Sequence, residues 1–105
     1  MSNEQIIAKE KVLALIRKAA ESRINISEAY LFGSYARNEQ QEFSDIDIAL
    51  VSDDFQGNSF LDSLLFDEMI CELGSELEVH TYKPQDFQPH NLFVREIINS
   101  GIRIL

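Results

Sequence analysis

Asp45-Ile46-Asp47-Ile48-Ala49-Leu50-Val51 begins with acids alternating against large aliphatic residues and ends as an unbroken apolar run. A period of two is that of a strand, so the segment reads as a core strand carrying two carboxylates at one end. Residues i and i+2 of a strand share a face, and two steps of about 3.3 Å set their Cα atoms roughly 6–7 Å apart. Asp45 and Asp47 therefore project together. Carboxylates at that separation repel one another unless a cation compensates them. Hard oxygen donors favour Mg²⁺ over zinc, and such a pair suits two ions about 3.5–4 Å apart.

Upstream, Ile26 to Phe32 is a short apolar stretch ending at Gly33, which predicts a strand running into a tight turn, with a helical turn over Ser34 to about Arg37. Glycine allows close backbone approach, a serine hydroxyl donates, and the start of a helix presents free amides, so Gly33 and Ser34 are candidates to receive a phosphate. A Gly-Ser pair alone carries almost no information. Gly33-Ser34 followed after ten residues by Asp45-x-Asp47 on an apolar strand is a specific combination.

Downstream, Leu77 to Tyr82 alternates again until Pro84 breaks it, a further strand. If it neighbours the aspartate strand, Glu78 joins the two acids, where it could hold an ion or accept a proton from an attacking hydroxyl. Glu76 shares its face and is the second candidate for the third carboxylate.

The remaining segments predict helices. Asn3 to Ser22 is rich in Ala, Leu, Lys and Glu, with Ile6, Leu13, Ile16 and Ala20 at helical spacing. Ser59 with Asp62 resembles a capping box ahead of Leu61, Leu64, Leu65, Met69 and Leu73, and Gly74 stops that helix. Asn91 to Ser100 is a last helix with Leu92, Phe93, Ile97 and Ile98 inward, followed by Gly101 and a short strand over Ile102 to Leu105. The order implies a mixed α/β (α+β) layer, with helices covering one side of a small mixed sheet.

At 105 residues the chain is expected to form one domain, residues 1–105, without a separate acceptor-binding domain. The net charge of −9 and the scattering of nine Lys and Arg residues disfavour a nucleic-acid polymer. A small anionic nucleotide remains compatible once a cation neutralises the acids. The single cysteine, Cys71, excludes an intramolecular disulfide, and its flanks Met69, Ile70 and Leu73 predict a buried thiol. The start, Met-Ser-Asn-Glu, has no signal-peptide pattern, and no stretch approaches membrane-spanning length, so a cytoplasmic protein with no membrane partner is expected. Homo-oligomerisation is left open.

Gly33-Ser34-Tyr35-Ala36-Arg37, then Ser44-Asp45-Ile46-Asp47-Ile48, resembles the signature of the minimal nucleotidyltransferases of the DNA polymerase β-like superfamily. The order of elements is similar over nearly the whole chain. The resemblance implies that Gly33 and Ser34 hold nucleotide phosphates, that Asp45 and Asp47 bind the metals, and that Glu78 is the third carboxylate. It also implies a nucleotidyltransferase-like domain using ATP and Mg²⁺. Chains of this size are similar to the antitoxins of HEPN-domain ribonuclease toxins, which move AMP from ATP to a toxin tyrosine. Two positions depart from the pattern: Asn38 stands where many relatives have glycine, although asparagine tolerates a left-handed backbone, and Glu78 stands where aspartate is frequent.

Plainer readings compete. An isolated Asp-x-Asp is more often a solvated strand edge, and the Gly33-Ser34 spacing is what lifts this one above it. Arg37 reads equally as a phosphate contact or a solvated turn residue. His80 shares the Glu78 face, where a lone histidine is usually structural. Tyr35 stacks on a base or covers the core. At the level of function, the rivals are a non-catalytic binding module that masks a partner and nucleotidyl transfer to a small molecule.

Overall fold

The computed structural model describes residues 1–105. Its first helix, α1 (Asn3–Glu21), starts from a capping box in which the Ser2 side chain accepts from the Gln5 amide while the Gln5 side chain accepts from the Ser2 amide. Glu4 in the first turn and Lys18 in the last complement the helix dipole. The buried face is Ala8, Val12, Leu15 and Ala19 together with Gln5. This corrects the expected stripe, since Ile6 and Ala20 are exposed. The small side chains of Ala8 and Ala19 let the helix lie close to the sheet, so the inward face is not the most hydrophobic one.

The sheet has four strands in the order β3-β2-β1-β4: β1 (Glu28–Phe32), β2 (Ile46–Val51), β3 (Leu77–Tyr82) and β4 (Ile102–Arg103). Strand β1 runs antiparallel to β2 and to β4, whereas β2 and β3 are parallel and need a helical crossover between them. The expected single helix of that crossover is two, α2 (Ser59–Leu64) and α3 (Asp67–Leu73). Leu65 and Phe66 donate to the carbonyls of Asp62 and Ser63, three residues back, so the chain tightens there. The break swings Phe66 fully into the core, edge-on to Phe55 at 6.0 Å. The expected Ser59–Asp62 capping box is also replaced. Asn58 caps α2 by accepting from the Leu61 amide, and the buried Asp62 carboxylate accepts from the amides of Gln56 and Gly57 at 2.9 and 3.0 Å.

Helices occupy both faces of the sheet, not one. Ala29, Leu31, Ile46, Ile48 and Leu50 pack with α1 and with Phe55 and Phe66. The opposite face, Tyr30, Ala49 and Val51, packs under Phe87 and the last helix, α4 (Leu92–Ser100), through Val94 and Ile97. Leu92 and Phe93, expected inward, are exposed, and the Cys71 thiol, expected buried, is exposed on α3. In α4 the inward face is that of Val94 and Ile97, three residues apart, and in α3 it is Met69, Ile70 and Leu73 that pack against the core. No helix is long and apolar enough to cross a membrane.

The α4 side therefore covers Ala49 and Val51 while the other end of the same face, where Asp47 and Glu78 stand, stays open to solvent.

Candidate active site

The open end is built by three adjacent backbone segments. Phe32, the last residue of β1, pairs with Asp47 across the antiparallel ladder, and Asp47 pairs with Glu78 across the parallel one. The next residue on the Glu78 face of β3 is His80. Donor atoms of Asp47, Glu78 and His80 all lie within 4.8 Å of one another. Asp45 precedes β2 and is exposed, outside that group of three.

The chain leaves β1 through Gly33, whose φ of +74° is a left-handed conformation. A β-carbon there would overlap the Asp47 carboxylate and come within 3.2 Å of its Cγ. Glycine is thus required twice over, by the turn and by the acid beneath it. One helical turn follows, with Arg37 and Glu39 donating to the carbonyls of Gly33 and Ser34 at 3.2 and 2.8 Å. The amides of Ser34, Tyr35 and Ala36 make no hydrogen bond within the chain. Free amides above a group of carboxylates are donors for an anion that a cation has brought close.

The turn ends at Asn38, whose φ of 55° is the left-handed conformation expected of the residue standing in for glycine. Its side-chain oxygen accepts from Ser2 and Gln40. From below, the buried Gln5 amide donates to the carbonyls of Tyr35 and Ala36 at 2.9 and 3.3 Å. The start of α1 therefore clasps the turn, a role absent from the sequence reading because a glutamine in a helix gives no signal of a contact thirty residues away.

Electrostatics mark Asp47. Burial, then the neighbouring Glu78 and Asp45 carboxylates, push its carboxyl from 3.8 up to about 7, against the opposing pull of the Arg37 cation. Arg37 is exposed and also meets Glu39 at 3.2 Å. Glu76 goes elsewhere: Lys11 of α1 takes its carboxylate and holds it below the usual range. The pair lines a 410 Å³ cavity with Tyr35 and Phe43, on the α1 side of the sheet. Of the two candidates for the third carboxylate, Glu78 alone stands beside Asp47.

Two clefts flank the donors. One of about 200 Å³ is lined by Phe32, Gly33, Arg37, Phe93 and Glu96, and another of about 480 Å³ runs along the edge strand past Phe60, Val79, His80 and Tyr82.

Residues 14–105 match the family model described as "Polymerase beta, Nucleotidyltransferase". The chain belongs to this family. Two proteins of Methanocaldococcus jannaschii, named putative protein adenylyltransferases MJ0435 and MJ1379, are similar in sequence. MJ0435 is 37% identical over 98 residues, covering 92% of this chain and 94% of its own length. MJ1379 is 32% identical over 94 residues, covering 89% and 90%. A chain of a crystallised toxin-antitoxin with AMP-PNP shares the fold, with a TM-score of 0.65 at 21% identity over 92% of this chain and 72% of that one. The protein is thus a nucleotidyltransferase with a small mixed sheet and helices, and Asp47, Glu78 and His80 are donors of the kinds that a divalent cation accepts.

Proposed function

We propose that this chain moves AMP from ATP to a hydroxyl acceptor, in the preferred form a tyrosine of a partner HEPN-domain toxin, and so acts as an antitoxin by AMPylation. The observation that carries this reading is the Asp47–Glu78 register pairing directly beside the Gly33 turn. The adenylyltransferase names of the two archaeal relatives and the AMP-PNP of the toxin-antitoxin relative support the adenylate donor and the toxin partner.

Asp45, Asp47 and Glu78 would hold Mg²⁺, two ions in the full assembly. Bound there, the metal neutralises the triphosphate and lowers the pKa of an attacking hydroxyl. The free amides after Gly33 and the Ser34 hydroxyl hold the phosphates, with Arg37 adding positive charge on the same side. The acceptor oxygen forms a bond to the α-phosphorus as the bond to pyrophosphate breaks, and the hydroxyl proton passes to a carboxylate of the group, Glu78 being exposed enough to meet an incoming acceptor.

Intact-mass spectrometry of the partner toxin incubated with this protein and Mg-ATP tests the reading. An adenylate increment is expected with the wild type and not with the Asp45→Ala, Asp47→Ala double variant. A tight complex without any increment would instead favour the binding-module reading, for which the position of Asp45 outside the donor group is the motivating observation.

A further inference from the structure

His80 is placed on the site face of β3, two residues beyond Glu78, with its side chain about one-third exposed overall. Phe32 meets its ring edge-on at 5.1 Å, and the Phe93 ring lies 6.3 Å away. The imidazole carries its Nε2 to a point with essentially no solvent contact and no hydrogen-bond partner. Buried nitrogens in that condition are uncommon, and each needs a physical reason.

The reason lies in what the atom faces. Nε2 stands 3.8 Å from Asp47 Oδ1 and 3.7 Å from Glu78 Oε1. Both separations are too long for hydrogen bonds. They approach the spacing of two donors that share one ion, about 3.0–3.5 Å when each bond is roughly 2.1 Å. The three side chains come from two neighbouring strands in fixed register, and their donor atoms all lie within 4.8 Å of one another.

From this geometry we infer that His80 is a third protein ligand to the cation held by Asp47 and Glu78, making a mixed nitrogen and oxygen site that binds Mn²⁺ in preference to Mg²⁺. An all-oxygen set suits Mg²⁺, which gives up its water reluctantly, whereas an imidazole donor raises affinity for first-row transition ions far more than for Mg²⁺. The inference rests on the proposed role of Asp47 and Glu78 as metal ligands and adds a ligand and an ion preference to it.

The test uses the full chain and two readouts independent of activity. Pulsed EPR of the Mn²⁺-loaded wild type is expected to show modulation from one directly bound ¹⁴N, which requires no variant to fold. Calorimetric titration with Mn²⁺ and with Mg²⁺ is expected to show an affinity for Mn²⁺ that falls about tenfold in His80→Gln while that for Mg²⁺ moves less than about twofold. Mn²⁺ bound without nitrogen modulation, or with equal affinity in wild type and His80→Gln, overturns the role of His80 and leaves the carboxylate site standing. Failure of both ions to bind the wild type overturns the carboxylate site as well.

Discussion

The Gln5 side-chain amide donates to the Tyr35 carbonyl at 2.9 Å across thirty residues of sequence, and so joins the first turn of α1 to the turn that follows Gly33. The same side chain closes the helix capping box through its oxygen. Gln5 is therefore a positioning residue for the Ser34, Tyr35 and Ala36 amides. Gln5→Ala removes the bonds to Tyr35 and Ala36; the Tyr35 carbonyl keeps the Asn38 amide as a partner at 3.1 Å, whereas the half-buried Ala36 carbonyl is left without one, an expected loss of about 1 kcal/mol in urea unfolding. Because the turn loses its support, AMP-PNP affinity should fall several-fold in calorimetry even though Gln5 touches no phosphate. Unchanged nucleotide affinity in a destabilised variant would reduce Gln5 to a helix cap.

Gly33 is more demanding. Gly33→Ala forces a β-carbon into the left-handed region and into the Asp47 carboxylate. The backbone term alone costs about 1 kcal/mol, and the collision must displace either the turn or the acid. Nucleotide binding and divalent-cation binding should both be lost in this variant, since one substitution disturbs both parts of the site. If cation binding persists at wild-type strength, the turn and Asp47 are less tightly joined than their contact implies.

The strands were the legible part of the fold because alternation records burial directly. Leu77 to Tyr82 reads from the sequence with the ends it has in the structure, and the aspartate strand differs by a single residue at its start. Helix faces were less legible. In α1, Ala8 and Ala19 face the sheet because they are small, a property that hydrophobic spacing does not weigh. The break between α2 and α3 contains neither glycine nor proline, so nothing local marks it. In the site, Gly33, Asp47 and Glu78 followed from turn chemistry and strand parity, but strand order had to be known before Glu78 could be separated from Glu76. Gln5 is identified only by its neighbours in space, whereas strand parity already put His80 on the Glu78 face, and its closeness to Asp47 needed the strand order.

The raised Asp47 carboxyl makes stability depend on pH in a definite direction. An unfolded aspartate releases its proton near 3.8, whereas folded Asp47 holds it up to about 7. Between those values the folded chain carries a proton that the unfolded chain has lost, so this group's contribution is fully present below the lower value and is lost as pH rises through the upper one. Asp47→Asn should therefore be more stable than the metal-free wild type at about pH 8, by roughly 1 kcal/mol after allowance for partial exposure, with the gap closing towards pH 4. Millimolar Mg²⁺ should raise the wild-type melting temperature more at pH 8 than at pH 5.5, and should not raise that of Asp47→Asn. A gap between the two proteins that is independent of pH would remove the titration of Asp47 as its cause.

Glu76 and Glu78 supply the sharpest contrast, since they are two residues apart and were the rival third carboxylates. Glu78 lies in register with Asp47, so Glu78→Gln should lower adenylate transfer by at least about a hundredfold with little change in stability. Glu76 is held by Lys11, and its carboxyl sits below the ordinary value of 4.5. Its contribution is present above that value and is lost as pH falls through the folded one. Both groups of the pair are about one-third exposed, so Glu76→Gln should cost less than about 1 kcal/mol at neutral pH, vanish as a difference at low pH, and leave transfer intact. Measuring single-turnover transfer and urea midpoints for the two variants side by side separates the roles. Loss of transfer in Glu76→Gln with retention in Glu78→Gln would reverse the assignment, and would require Glu76 to leave Lys11 and turn to the Asp47 face.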